Sequence, residues 1–280
     1  MGDKVKTLTD LRVEIDEVDR QIHRLLIKRA ELSHQVGDLK TEAGLPIVNA
    51  AREAEVVRAL INRHAGDLPM ASLIAIWREL IGASVQIQQV TPVVIAGGGN
   101  DAVAMDLARS YFGSATPIEI VASSLNALSR LRDGSAGFVV LPWPDDEDAQ
   151  SWWPHLVQDG GPAIRIVARL PYDEGVVNPA IDHEARYIIV GDVPYFSSGN
   201  DHSFVCMNLV GEISRSRLNS LFDEAGLGIV ALHRRGDGLH LIEVSDYVDD
   251  THAGMKKLVS SLGEVYAWHK VIGGFALLGA

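Results

Sequence analysis

Arg29 and Lys40 stand in the stretch IHRLLIKRAELSHQVGDLK, residues 22–40, eleven positions apart. On an α-helix that spacing is about three turns, which leaves the two side chains ~20° apart around the axis and roughly 16 Å apart along it. Both therefore border the apolar stripe formed by Ile22, Leu25, Leu26, Leu32, Val36 and Leu39. Two cations beside a buried face can hold an anionic ligand, or they can snorkel, with their stems on the protein and their heads in water. Further donors bear on that choice. Arg52 and Glu53 follow Asn49, and Ser84 and Gln88 lie four apart, hence on one helical face. Arg12 lies seventeen residues before Arg29, about 260° around the axis, so one copy of the helix cannot aim both into one pocket. A second copy could supply one of them.

Long helices must position these groups. The stripe from Leu8 to Leu39 predicts a helix over about 9–43, broken at GLPI, residues 44–47. At ~1.5 Å per residue it would be roughly 50 Å long, longer than a small domain is wide. A second helix is expected from the N-cap Asn49 to about His64, and a third from about Met70 to Gln89. Three helices of these lengths do not close a core alone, and homodimerisation is the simplest remedy.

Beyond residue 90 the pattern changes. VVIAG, DAVAMDLARSYF, IEIVAS, LNALSRLRDG and GFVVLPW alternate as strand and helix, an open α/β region. From Ser203 the order is strand FVCMNLV, helix SRLNSLFDEAG, strands GIVALHR and LHLIEVS, helix HAGMKKLVSSLG and strand VYAWHKVIG. This is a βαββαβ unit of the ferredoxin-like, α+β kind. The expected organisation is thus multidomain: an all-α part over 1–90, an α/β region over 91–200 and an α+β unit over 201–280.

Composition narrows the partners. The formal charge of -12 argues against nucleic acid, which needs a basic face. Residues 1–90 hold 12 Lys+Arg against 13 Asp+Glu, so the surplus of acid lies in the rear. No apolar run reaches the ~18 residues of a membrane span, and the first residues lack a signal-peptide core, so no membrane partner and a cytoplasmic location are expected. Cys206, in the apolar run FVCMNLV, reads as buried core, and the ten histidines show no metal-ligand spacing.

The segments LRVEIDEVDRQIHRLL, KRAELSHQVGDLK, PIVNAAREAEV and ASVQIQQ resemble the all-helical chorismate mutase family, an intertwined dimer of one long and two shorter helices. The resemblance implies conversion of chorismate to prephenate without cofactor or metal, at active sites shared between two subunits. Arg12 from the partner subunit and Arg29 would bind the substrate's two carboxylates, with Arg52 helping to position them. Lys40 and Gln88 would donate to the ether oxygen of the breaking bond. Glu53 would hold the ring hydroxyl and Ser84 the ring carboxylate. At Asn49 the family often has Asp and uses mainly the backbone. The same fold also supports release of pyruvate from isochorismate, but Lys40, Gln88 and Glu53 favour the mutase.

The module order resembles the bifunctional chorismate mutase and prephenate dehydratase, with IAGGGNDAVAMDLARSYFG, ALSRLRDGSAGFVVLPWPDD and ARYIIV as dehydratase-like pieces. That family's catalytic Thr-Arg-Phe triplet is here Ala185, Arg186 and Tyr187, and Trp143, Pro144 and Asp145 replace a polar triplet. About 40 residues separate the two pieces, too few for a second lobe, so no dehydratase activity is expected. Gly97, Gly99 and Ala102 also satisfy the G-x-G-x-x-A dinucleotide pattern, but IEIVASS ends without an acid for a ribose, and a plain glycine turn is the expectation. The βαββαβ unit resembles an ACT domain, which implies an amino-acid effector such as phenylalanine or tyrosine, although its contact motifs are poorly kept in GEISRSRL and LHRRGD. Outside catalysis, the helical part could serve as a scaffold for another enzyme of aromatic synthesis.

Overall fold

A computed structural model describes residues 6–145, 151–157, 163–172 and 185–279. Helices α1 (Leu8–Glu42), α2 (Ala50–Arg63) and α3 (Met70–Gln88) come first. A capping box opens α1: the Thr7 hydroxyl accepts from the Asp10 amide at 3.2 Å, and the Asp10 carboxylate accepts from the Thr7 amide at 2.9 Å. Asn49 caps α2, its Oδ1 accepting from the Arg52 amide at 3.0 Å. Only the second half of α1 rests on the rest of the chain, against α3. Residues 6–28 are all exposed, and Leu25 and Leu39 remain 69% and 63% exposed. So many bare apolar side chains on one helix mark a face built for another surface.

By length and composition alone, one helix among the described residues, α3, is apolar enough to cross a membrane. Its charged pair Arg78 and Glu79 interrupts the run without lowering the mean hydropathy far. α3 packs against α1, α2 and α4, burying Leu73, Ile74 and Ile81.

The remainder is built on one nine-stranded sheet. Strands β1 (Val93–Ala96), β2 (Ile118–Val121) and β3 (Phe138–Pro142) pair in parallel, with α4 (Asp101–Phe112) and α5 (Ser124–Arg132) as crossovers. β4 (Arg165–Leu170) and β5 (Tyr187–Gly191) continue it antiparallel. Then follow β6 (Asp201–Leu209), α6 (Arg215–Ala225), β7 (Ile229–Arg234), β8 (Leu239–Val244), α7 (Ala253–Leu262) and β9 (Tyr266–Ala276). The full order is β2-β1-β3-β5-β4-β9-β6-β8-β7, and its last four strands have the ferredoxin-like arrangement. The join between β4 and β9 is narrow, one bridge between Ile166 and Gly273. Gly273 has φ +106°, and a Cβ there would lie 2.1 Å from the Ile166 carbonyl oxygen, so only glycine lets the two sheets meet.

The helical part does not stand apart from this sheet. Leu278, just after β9, shares a buried cluster with Ala54 and Val57 of α2 and Ile74 and Ile81 of α3, and Tyr172 packs against it. At Gly82 a Cβ would come 2.0 Å from the Phe112 carbonyl oxygen, so α3 and α4 touch through their backbones. Trp152 and Trp153 are buried in a cluster with Leu141, Ile166, Phe204 and Phe275. Cys206 is buried as expected, and burial raises its thiol pKa to about 12.

Candidate functional site

The site forms where the second half of α1 meets α3 and the start of α2. Arg29 donates through Nη1 to the Ser84 hydroxyl at 2.5 Å and to the Leu80 carbonyl at 2.8 Å. Ser33 donates to Ser84 at 3.1 Å. Lys40, farther along the same face, donates through Nζ to the Ile47 carbonyl at 2.5 Å. Arg29, Ser33, Gly37 and Lys40 thus line one side of α1 at helical spacing. Ser84 and Gln88 answer them from α3.

Gly37 sets how closely the helices approach. A Cβ there would stand 2.7 Å from Gln88 Cγ, so glycine lets the Gln88 side chain lie between α1 and α3. Gln88 Nε2 donates to the Ser84 carbonyl of its own helix at 3.0 Å, while its buried Oε1 has no partner. A ligand reaching this point would compete for the amide. Burial lowers the pKa of Arg29, and burial also lowers that of Lys40, opposed by the negative charge of Glu53. A half-buried arginine and lysine on one face of α1 form a site that favours an anion.

Glu53 belongs to this cluster electrostatically, but its carboxylate is also held from behind. Arg78 of α3 donates to Glu53 Oε2 at 2.9 Å. Sequence reasoning singled out Glu53 and missed Arg78, Ser33 and Gly37. A charge inside SLIAIWRELIGA and a glycine in mid-helix were the available signals.

Three of the expected site residues lie apart in this protomer. Arg12 sits on the exposed half of α1, ~25 Å along the helix from Arg29. Arg52 points outward and pairs with Glu55 at 2.8 Å, its side chain 69% exposed. Asn49 does its observed work as the cap of α2.

A second concavity opens at the C-terminal ends of β1 to β3, where open α/β sheets usually bind ligands. Its volume is 410 Å³, and Gly97, Gly98, Ser123, Ala185, Arg186 and Tyr187 are among its walls. The glycines are explained by packing: a Cβ on Gly97 would lie 2.8 Å from the Val121 carbonyl oxygen, and Gly98 has φ +99°. The Arg186 guanidinium stands 5.9 Å from the Trp143 ring, and Ala185 offers no hydroxyl. Among the described residues, no group of histidine, cysteine and carboxylate side chains could hold a metal ion.

Comparison with known proteins places the family match in the helices. A family model described as chorismate mutase type II matches residues 11–89. The bifunctional chorismate mutase/prephenate dehydratase of Aquifex aeolicus is 34% identical over 97 residues, 33% of this chain and 27% of that protein. The chorismate mutase of Methanocaldococcus jannaschii is 32% identical over 66 residues, 22% of this chain and 67% of that protein. The chain therefore spans little more than a quarter of the first relative's length and two thirds of the second's. Among solved structures, the prephenate dehydratase of Streptococcus mutans aligns with 67% of this chain and 99% of its own, at 14% identity and a TM-score of 0.46.

Proposed function

Given that the chain belongs to the type II chorismate mutase family through its first ninety residues, we propose that it converts chorismate to prephenate as a homodimer. The observation that carries this reading is the convergence of Arg29, Lys40, Glu53, Ser84 and Gln88 beside a half-helix left bare. Residues 1–90 act as the mutase unit, 91–200 as a dehydratase-like region without its chemistry, and 201–280 as an ACT-like unit.

The reaction breaks an ether C–O bond and forms a C–C bond within one molecule, with no proton transferred and no nucleophile required. Catalysis then consists of holding the compact reactive conformer and of donating hydrogen bonds where negative charge grows. The residues fit both tasks. Arg29 presents a planar, permanently charged fork suited to a carboxylate, with Ser84 as neighbouring donor. Lys40 and Gln88 would donate to the ether oxygen, Gln88 by leaving the Ser84 carbonyl. Glu53 would accept from the ring hydroxyl. Arg12 of the second copy, together with Arg52 turned inward from Glu55, would close the site over the other carboxylate. Asn49 would contribute chiefly its backbone and its cap. No cofactor enters this scheme.

The test is a proton NMR time course of the protein with chorismate, which separates prephenate, phenylpyruvate and free pyruvate in one sample. Prephenate as sole product supports the mutase. Phenylpyruvate would restore dehydratase activity to the rear half, and pyruvate would indicate a lyase. Chorismate left to its spontaneous decay would favour a helical scaffold. Repeating the course with millimolar phenylalanine or tyrosine tests an effector at the ACT-like unit; an unchanged rate with both removes that role.

A further inference from the structure

Behind Glu53, on the side away from α1, the structure invests a buried charge that the mutase scheme does not use. Arg78 is 3% exposed. Its Nη1 donates to Glu53 Oε2 at 2.9 Å, while Nε and Nη2 both donate to the main-chain carbonyl of Tyr111, at 2.9 and 2.5 Å. The guanidinium carbon stands 3.9 Å from the centre of the Tyr111 ring and 4.9 Å from that of Tyr172. Tyr111 lies on α4 and Tyr172 follows β4, so the cage belongs to the α/β region and its occupant to the mutase helices. Burial disfavours the charge on Arg78, but Glu53 and the two tyrosines more than offset this and raise its pKa.

Burying an arginine so completely is unfavourable unless all its partners are in place, and removing one partner strands the other. A helix this apolar could have filled the position with leucine if packing were the only requirement. What the arginine adds is direction. It occupies one oxygen of Glu53, and no hydrogen bond to Oε1 is seen among the described residues, so that oxygen remains available to accept from a ligand. A glutamate in the first turn of a helix otherwise has three rotatable side-chain bonds and no reason to hold one rotamer.

We propose that Arg78 is a positioning residue of the mutase site: locked to the Tyr111 carbonyl and between the Tyr111 and Tyr172 rings, it fixes the Glu53 carboxylate, so that the α/β region forms the rear wall of the site. The rear half is then part of the mutase, whatever else it binds. This inference rests on the mutase reading of the same site.

A double-mutant cycle tests it, with kcat and KM for chorismate measured on the full chain and normalised to folded protein by circular dichroism. Arg78→Met in the otherwise natural protein should lower kcat/KM by about tenfold to a hundredfold, as misplacement of a contacting group does. In a Glu53→Gln background the same change should add less than about twofold, because the group through which it acts is already lost. If Arg78→Met does not fold, Arg78→Lys keeps the charge but not the fork that spans carbonyl and carboxylate, and should show the same non-additivity. Losses that multiply across the cycle, or a variant that melts earlier yet turns over normally, overturn the proposal and leave Arg78 a packing residue. A natural protein inactive on chorismate overturns the mutase reading and this proposal together, whereas an active one with unaffected Arg78 variants overturns this proposal alone.

Discussion

The cluster at α1, α2 and α3 and the cleft at the ends of β1 to β3 lie in one chain and have opposite character. The cleft has the volume, 410 Å³, and the position where α/β proteins usually bind ligands. Its walls are mostly glycine, alanine and serine, with Asp101, Tyr187 and one arginine beside a tryptophan. The helical cluster instead gathers polar side chains that bond one another or main-chain carbonyls, with the buried Gln88 Oε1 left unpartnered. Convergent polar groups, rather than empty space, carry the chemistry proposed here. In the proposed dimer, the bare half of α1 from a second copy would complete the cluster.

The comparison breaks most severely if that bare face is spoiled. Leu25→Asp places a charge on an apolar helix face that is 69% exposed in the protomer. It should convert the proposed dimer to monomer in sedimentation velocity and take mutase activity to near background, because Arg12 of the second copy is lost with the interface. A monomeric natural protein with full activity would reverse the argument. Next in size is Arg29→Ala, expected to reduce kcat/KM by about a hundredfold or more in steady-state assays with the dimer intact. Arg186→Ala, in the larger cleft, should change the same constant by less than about twofold. Comparable losses at both positions would show that the cleft, too, serves the reaction.

The residues of the helical cluster were more legible than those behind them. Arg29 and Lys40 share a face by arithmetic alone, and Asn49 announces the start of α2 by its side chain. The strands and helices of the βαββαβ unit follow from alternation and turns. β4 was not read, because RIVARL begins with an arginine and joins β5 by antiparallel pairing that no local pattern encodes. Nor does any local signal say that β4 and β9 meet at Gly273. Arg78 is the instructive omission. In the sequence it is one charge in an apolar helix, and only the packing of α4 and Tyr172 against that helix turns it into a buried clamp on Glu53. Pairing within a helix is local, whereas the hydrogen-bonded partners of Arg78, Glu53 and Tyr111, lie 25 and 33 residues away.

A finer test exploits Lys40, because its effects on rate and on stability should oppose each other. Burial lowers its pKa in the folded protein, so the folded state holds its proton less tightly than the unfolded chain does. Well below that lowered pKa both states are protonated, and folding bears the full unfavourable desolvation. As pH rises from the folded pKa toward the ordinary lysine value, the folded state releases its proton first, and the contribution of Lys40 to stability becomes more favourable. Catalysis runs the other way, since the ammonium, unlike the neutral amine, brings a positive charge to the negative charge growing on the ether oxygen. The alkaline fall in kcat/KM should therefore begin below the pH at which an exposed lysine titrates, while the midpoint of urea unfolding for the natural protein gains relative to Lys40→Met over the same interval. Lys40→Arg, which keeps its charge throughout, should lose that alkaline limb whatever its absolute rate. A limb that survives this substitution unchanged would assign the titration to another group and remove Lys40 from the role of donor at the breaking bond.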